Sequence, residues 1–271
     1  MPTPNQAAAP AADASVPAAA PAPGACVPAY GDNGLPARVV YEHSAVAVLV
    51  DYDMLEQKPL LDAAVFSLQR FNVNWTRHPT FPSPFVSGTT ATMHRNMLLM
   101  SPAPLLALTD IYYEFSGLRM PAQACTPEVQ VLMDFVNANF AHGDAPFDRV
   151  LVNEYENGAD TISQHSDKGT VGDIVGIAVG ARRYFRLSHT VGGRSVTLVD
   201  VVSHPYHALV MEREGFQRQL KHGVPKKLLR ASDFADGRIP EGSDGPRVSF
   251  TFRRHVKPEQ RGGKRARASS K

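Results

Sequence analysis

The 271-residue chain contains two cysteines and one tryptophan. The cysteines, Cys26 and Cys125, lie about a hundred residues apart, with neither metal-ligand nor disulfide spacing. That excludes a disulfide scaffold and points to a reducing compartment. No run of about 18 apolar residues occurs, so no membrane span is expected. Lysine and arginine are absent from residues 1–37, which argues against a secretory signal peptide and a mitochondrial presequence. Charge of one sign is also lacking. A formal net charge of +2 describes a nearly balanced body, not a uniformly basic one. The expectation is an intracellular protein, nuclear or cytoplasmic, monomeric and without a disulfide-linked partner.

What is present divides the chain into three parts. Residues 1–37 are an Ala/Pro-rich stretch with no helical or strand period and read as a disordered tail. Residues 257–271 read as a basic disordered tail. From Arg254 onward Lys257, Arg261, Lys264, Arg265, Arg267 and Lys271 face one acid, Glu259. Such a run is either a solvated, solubilising end or a nucleic-acid contact or nuclear-import segment. Between the tails, residues 38–256 are long enough for one domain with a real core.

Within that domain Val46–Val50 reads as a strand, and Leu61, Ala64, Val65, Leu68 and Phe71 give Leu55–Phe71 a helical spacing. Residues 76–90 hold Pro79, Pro82, Pro84 and Gly88 and read as a loop, a candidate substrate flap. Thr126-Pro127-Glu128 opens a second helix, with threonine as N-cap and proline at the first helical position. After Phe140 the period changes to two. Val150–Val152, Ile174–Val179, Tyr184–Leu187, Val196–Val202, Ala208–Met211 and Val248–Phe252 are short β-rich runs separated by Gly, Asp and Pro. Helices first and strands second predict an α+β fold: a double-stranded β-helix (jelly-roll) core with N-terminal helices packed on one sheet.

The chemistry concentrates around His165-Ser-Asp167. On an extended strand, residues i and i+2 point to one face. An imidazole nitrogen and a carboxylate oxygen then converge, as in two thirds of a 2-His-1-carboxylate site for non-heme Fe(II). With 10 His and 16 Asp, chance alone supplies roughly 0.6 such triplets. The setting must therefore carry the reading. His222 follows 57 residues later, far enough for intervening strands to return it to the same point. Arg247-Val-Ser-Phe-Thr-Phe-Arg253 reads as a strand with Val248, Phe250 and Phe252 on one face. Both arginines share the other face, about 20 Å apart at Cα. After the reach of each arm, a small dicarboxylate fits between two guanidinium forks. Asn153 and Tyr155 are another i, i+2 pair that could donate to a carboxylate.

Asn153-x-Tyr155, Gly158, Asp160, Ile162, His165-x-Asp167, Gly180, Phe185, His222-Gly223 and Arg247-x5-Arg253 together resemble the AlkB family of Fe(II)- and 2-oxoglutarate-dependent dioxygenases. Trp75 and Tyr112-Tyr113-Glu-Phe-Ser-Gly117 resemble that family's nucleotide-handling half. The resemblance spans residues 45–256, strongest from 150 to 253. It implies that His165, Asp167 and His222 ligate Fe(II), with O2 taking an open position. It also implies that Asn153, Tyr155, Arg247 and Arg253 hold 2-oxoglutarate, with Arg247 and Tyr155 on the distal carboxylate and Arg253 near the metal end. The implied activity is oxidative demethylation of N-alkylated bases in DNA or RNA, with release of formaldehyde and succinate. Trp75, Phe81, Phe85 and Tyr113 are the candidate substrate contacts, the first three by stacking or wedging from the 76–90 region.

One departure bears on the substrate. Several base-repair members carry an acid two positions after the iron aspartate, and here that position is Gly169, after Lys168. A 2-oxoglutarate dioxygenase acting on a protein side chain or lipid is the alternative, and a non-catalytic nucleic-acid-binding module with a degenerate site is a second. A zinc hydrolase could also use two His and one Asp, but it leaves the paired arginines without a role.

Overall fold

A computed structural model describes residues 33–43, 47–82, 90–115, 118–142, 144–167, 170–212, 215–226 and 228–254. The Ala/Pro-rich stretch up to residue 32 and the basic tail lie outside the described residues, as do Phe85 and Lys168-Gly169. The first half runs β1 (Ala37–His43), β2 (Ala47–Asp53), α1 (Lys58–Arg70), β3 (Thr80–Pro82), β4 (Thr90–Thr92), β5 (Asn96–Ser101), α2 (Ala103–Leu108), β6 (Tyr112–Phe115), β7 (Leu118–Pro121) and β8 (Gln123–Ala124). Then follow α3 (Pro127–Phe140), β9 (Arg149–Tyr155), β10 (Ile162–His165), β11 (Ile174–Gly180), β12 (Arg183–Val191), β13 (Arg194–Ser203), β14 (His207–Glu212), α4 (Phe216–Gln219), β15 (Lys221–Val224) and β16 (Arg247–Arg253).

Eight strands form a major sheet in the order β1-β2-β14-β11-β16-β9-β5-β8, and four form a minor sheet, β10-β15-β12-β13. Two hairpins, β3–β4 and β6–β7, stand apart from them. The protein is thus mostly β with few helices. Among the described residues the two sheets are separate ladders packed on each other, not one closed barrel.

Helices α1 and α3 cover one face of the major sheet. Leu61, Ala64 and Leu68 from α1 and Val129, Leu132, Met133, Val136 and Phe140 from α3 bury against Val50, Leu98, Val152, Ile177, Phe250 and Phe252. Each of the larger side chains contributes about 1.5–3 kcal/mol on leaving water. The α3 start follows from its sequence. The Thr126 side chain accepts the Val129 N–H at 3.2 Å, Pro127 occupies the first turn, and Thr126 also meets Ser67 of α1 at 2.7 Å. On the other face Leu49, Leu209 and Met211 pack against Leu187, Phe216 and Leu220 of the minor-sheet layer.

Two expectations need correction. The strand expected at Val46–Val50 is β2, but strands are more common in the first half than expected: β1 also precedes α1, and β5 pairs with β9 inside the major sheet. The Met97–Met100 stretch of β5 is buried on both faces, so it shows no alternation to mark it as a strand. The 76–90 region is not a plain loop either. Thr80–Pro82 and Thr90–Thr92 pair as a hairpin, and Thr76 bridges Met97.

One ionic cluster ties the edge of the major sheet together. Asp51, 3% exposed, accepts from Arg38 Nε at 3.0 Å and Nη2 at 2.8 Å, and lies 2.9 Å from His207 Nδ1. Burial alone would raise the Asp51 pKa, but His207 and then Arg38 outweigh it and hold the carboxyl below its ordinary 3.8. A depressed carboxyl stabilises the fold above its unfolded pKa and loses that stabilisation as pH falls through the folded one. Asp51→Asn is expected to cost about 2 kcal/mol in urea denaturation at neutral pH. The difference from the parent should shrink below about pH 3.8. A cost that is negligible at neutral pH, or that does not change with acid, would contradict this role.

Candidate metal centre and its cavity

Antiparallel pairing of β10 with β15 sets His165 directly opposite His222. The two strands approach closely because position 223 is glycine. A Cβ there would come within 2.6 Å of the Ile162 carbonyl oxygen and 2.7 Å of Gln164 Nε2. Asp167 follows β10 by two residues, and its backbone N–H donates to Gln217 Oε1 at 2.8 Å. The ligand atoms of His165, Asp167 and His222 all lie within 4.8 Å of one another. Asp167 Oδ1 is 3.6 Å from His165 Nε2, and Asp167 Oδ2 is 3.4 Å from His222 Nε2.

Several contacts fix these groups. His165 Nδ1 sits 2.9 Å from the Ser163 carbonyl oxygen, an acceptor that places the proton on Nδ1 and leaves the Nε2 lone pair toward Asp167. Phe185 stacks on His222 at 5.5 Å and 17°. Arg183 joins the turns leading into β10 and out of β15: Nη1 donates to Asn157 O at 3.1 Å, and Nη2 to Asp160 O at 2.7 Å and Pro225 O at 3.3 Å. Asp160 Oδ2 accepts the Glu156 N–H at 2.6 Å and closes that first turn.

The electrostatics suit a cation. Burial, and then the neighbouring His222, pull the His165 imidazole down to about 4, so it is neutral with a lone pair available at pH 7. Burial would raise Asp167, but Arg253, His222 and His165 more than offset it and keep the carboxylate ionised far below its usual range. Asp167 Oδ2 is buried without a hydrogen-bond partner among the described residues. A divalent ion on this oxygen and two imidazoles accounts for that unpartnered atom, so the residues fit the His-Asp-His donor set of a ferrous site.

The centre opens into a cavity lined by both sheets. Tyr113, Asn153, Tyr155, His165, His222, Arg247 and Arg253 all line it, and Asp167 contacts His165, His222 and Arg253 from behind that lining. Arg253 Nη2 lies 3.0 Å from Asp167 Oδ1, with its guanidinium 5.4 Å over the Tyr113 ring. Burial lowers the Arg253 pKa, but Asp167 and then Tyr113 raise it further. Toward the other end of β16, Arg247 donates from Nη1 to Ala181 O at 3.1 Å and from Nη2 to Ser203 Oγ at 2.9 Å. Its Nε has no partner among the described residues. Burial pulls Arg247 down to about 10, which still leaves it a cation at neutral pH. Gly180 (φ +96°) makes this corner possible, since a Cβ there would meet the Pro246 carbonyl oxygen at 2.4 Å.

Some expected residues lie elsewhere. Trp75 packs against the helix-side core, and Phe81 stands on the β3–β4 hairpin. Neither lines the cavity. Conversely, Arg95 lines the cavity and is 5% exposed. It donates from Nε to Asn153 Oδ1 at 2.8 Å and from Nη1 to Thr161 O at 3.3 Å. The sequence signal for Arg95 is thin: it stands just before an apolar run with no readable alternation.

Calorimetric titration with Mn(II) under anaerobic conditions should find one site per chain. His222→Ala should weaken it by at least about a hundred-fold. Unchanged affinity in that variant would rule out this centre as a metal site.

No protein-family model matches the chain, and no curated protein matches it. Among solved structures it is similar to OsALKBH1, at 17% identity over 79% of this chain and 100% of that one, with a TM-score of 0.41. It is also similar to a prolyl hydroxylase from Trichoplax adhaerens in complex with a hypoxia inducible factor oxygen degradation domain peptide fragment. That likeness has 9% identity over 78% of this chain and 83% of the other, with a TM-score of 0.38.

Proposed function

We propose that the chain is an Fe(II)- and 2-oxoglutarate-dependent dioxygenase that removes N-linked methyl groups from bases in DNA or RNA. The observation that carries the reading is one cavity with a His-Asp-His centre and, on the same wall, a buried arginine whose Nε has no partner. A hydrolytic metal site has no use for that second feature. A co-substrate with a carboxylate at each end uses both.

Bound ferrous iron would supply the oxidation of a methyl C–H by O2, coupled to decarboxylation of 2-oxoglutarate to succinate and CO2. One oxygen atom enters succinate and the other enters the methyl group. The resulting N-hydroxymethyl group breaks to N–H and formaldehyde. The chain's residues bind and orient. His165, Asp167 and His222 would hold the ion. Arg247, braced by Ala181 and Ser203, would take the distal carboxylate beside Tyr155. Arg253 neutralises Asp167 and faces the metal end. Tyr113 lies against Arg253 at the cavity wall, where an aromatic face could meet a base taken out of its stack.

The nucleic-acid assignment draws on the motif resemblance to the AlkB family and on the basic run after Arg254, which would attract phosphates without reading sequence. On this reading the enzyme would work where DNA or RNA is found, in nucleus or cytoplasm.

Purified protein with Fe(II) and 2-oxoglutarate should form succinate. Arg247→Ala should raise the KM for 2-oxoglutarate by roughly 30- to 100-fold, the loss of a charge-assisted carboxylate contact. An unchanged KM would remove 2-oxoglutarate from this end of the cavity.

A further inference from the structure

The cavity's charge is unbalanced. Three arginines line it, Arg95, Arg247 and Arg253, and among the described residues no aspartate or glutamate does. Asp167 pairs with Arg253. The proposed co-substrate supplies two carboxylates, but a divalent ion adds as much positive charge as they remove. Arg95 is left without a counter-ion: it is 5% exposed, and no carboxylate among the described residues forms an ion pair with it. Burial lowers its pKa, and Arg253 adds to that, while Tyr155 and Tyr113 act against it. Its partners are neutral oxygens, Asn153 Oδ1 and the Thr161 carbonyl, which bond Nε and Nη1. A guanidinium has five N–H donors, so these two contacts leave donors over for a ligand.

An uncompensated buried cation is costly to keep. It also repels any second cation that enters. Two unit positive charges about 6 Å apart, at an effective dielectric near 20, disfavour entry on the order of a hundred-fold. We propose that Arg95 is a specificity-determining residue that admits N-methyl groups carried on neutral bases and rejects those carried on bases that are cationic at neutral pH. This rests on the dioxygenase reading above and narrows its substrate class. Among methylated bases it favours N6-methyladenine and 3-methyluracil over 1-methyladenine and 3-methylcytosine. The last two are positively charged when methylated. 3-Methyluracil also offers carbonyl oxygens to a guanidinium.

The test uses the full chain with Mn(II) and 2-oxoglutarate under anaerobic conditions. Single-stranded oligonucleotides of one sequence, each with one of these four bases, are titrated for affinity. The parent should bind the neutral members at least ten-fold more tightly than the cationic ones. Arg95→Gln should reduce that ratio by at least ten-fold. Arg95→Lys should preserve it, because lysine keeps the charge and loses only the fork. A role confined to bracing Asn153 would not move a ratio between charge classes. Equal or tighter binding of the cationic bases by the parent overturns the inference, even if Arg95→Gln does not fold. An unchanged ratio in a folded Arg95→Gln, or no binding of either class, overturns it too. Formaldehyde and succinate are measured separately with Fe(II) in air. A neutral-over-cationic ratio without formaldehyde would sink the demethylase reading and leave the charge selection by Arg95 supported.

Discussion

The contact between Asp167 and Arg253 joins the two sheets. Asp167 extends from the end of a minor-sheet strand, and Arg253 ends the last strand of the major sheet. The 3.0 Å contact between them is nearly dry, at 2% and 8% side-chain exposure. A carboxylate taken out of water without a partner would protonate instead. Arg253 keeps it ionised, and an ionised oxygen is what a metal needs. The same guanidinium closes the metal end of the cavity and packs on Tyr113. One ion pair therefore aligns the sheets, charges the centre and shapes the wall beside it.

The rest of the site is arranged around that clamp by β-sheet register. Pairing across β10 and β15 puts His165 opposite His222, with glycine at 223 so that the strands can close. Pairing across β9 and β16 puts Tyr155 opposite Arg247 and Asn153 opposite Ser249. Alternation along β16 sends Phe250 and Phe252 into the helix-covered core and Arg247, Ser249, Thr251 and Arg253 into the cavity. The apolar face holds the strand in place, and the polar face becomes a ruler with a cation at each end. A one-residue slip would exchange those faces and destroy core and site together.

Much of this was legible in the sequence because it depends on periodicity. The alternation Arg247-Val-Ser-Phe-Thr-Phe-Arg253 reads directly as two faces, and Thr126-Pro127 marks the start of α3. His165 and Asp167 converge as their spacing suggests, although Asp167 lies just beyond the strand, and convergence needs the Gln217 contact as well. What stayed hidden has physical reasons. The Met97–Met100 run of β5 is covered on both faces, so neither the strand nor Arg95 just ahead of it has an alternating pattern to betray it. Trp75 is aromatic and near a proline-rich stretch, which says nothing about which side of the sheet it packs on; here it joins the helix-side core. Pairings such as Arg183 with the turns before β10 and after β15 join positions 23 and 42 residues apart. They arise from three-dimensional folding alone.

The central claim is that the His-Asp-His centre and the arginine-lined end of the cavity are two halves of one site. If so, metal and co-substrate must bind cooperatively, and by linkage each must tighten the other by the same factor. The direct measurement is the affinity for 2-oxoglutarate with and without Mn(II), paired with the affinity for Mn(II) with and without 2-oxoglutarate. A reciprocal gain of at least about ten-fold is the expected result. Independent binding of the two, or binding of 2-oxoglutarate that ignores the metal, would contradict the claim.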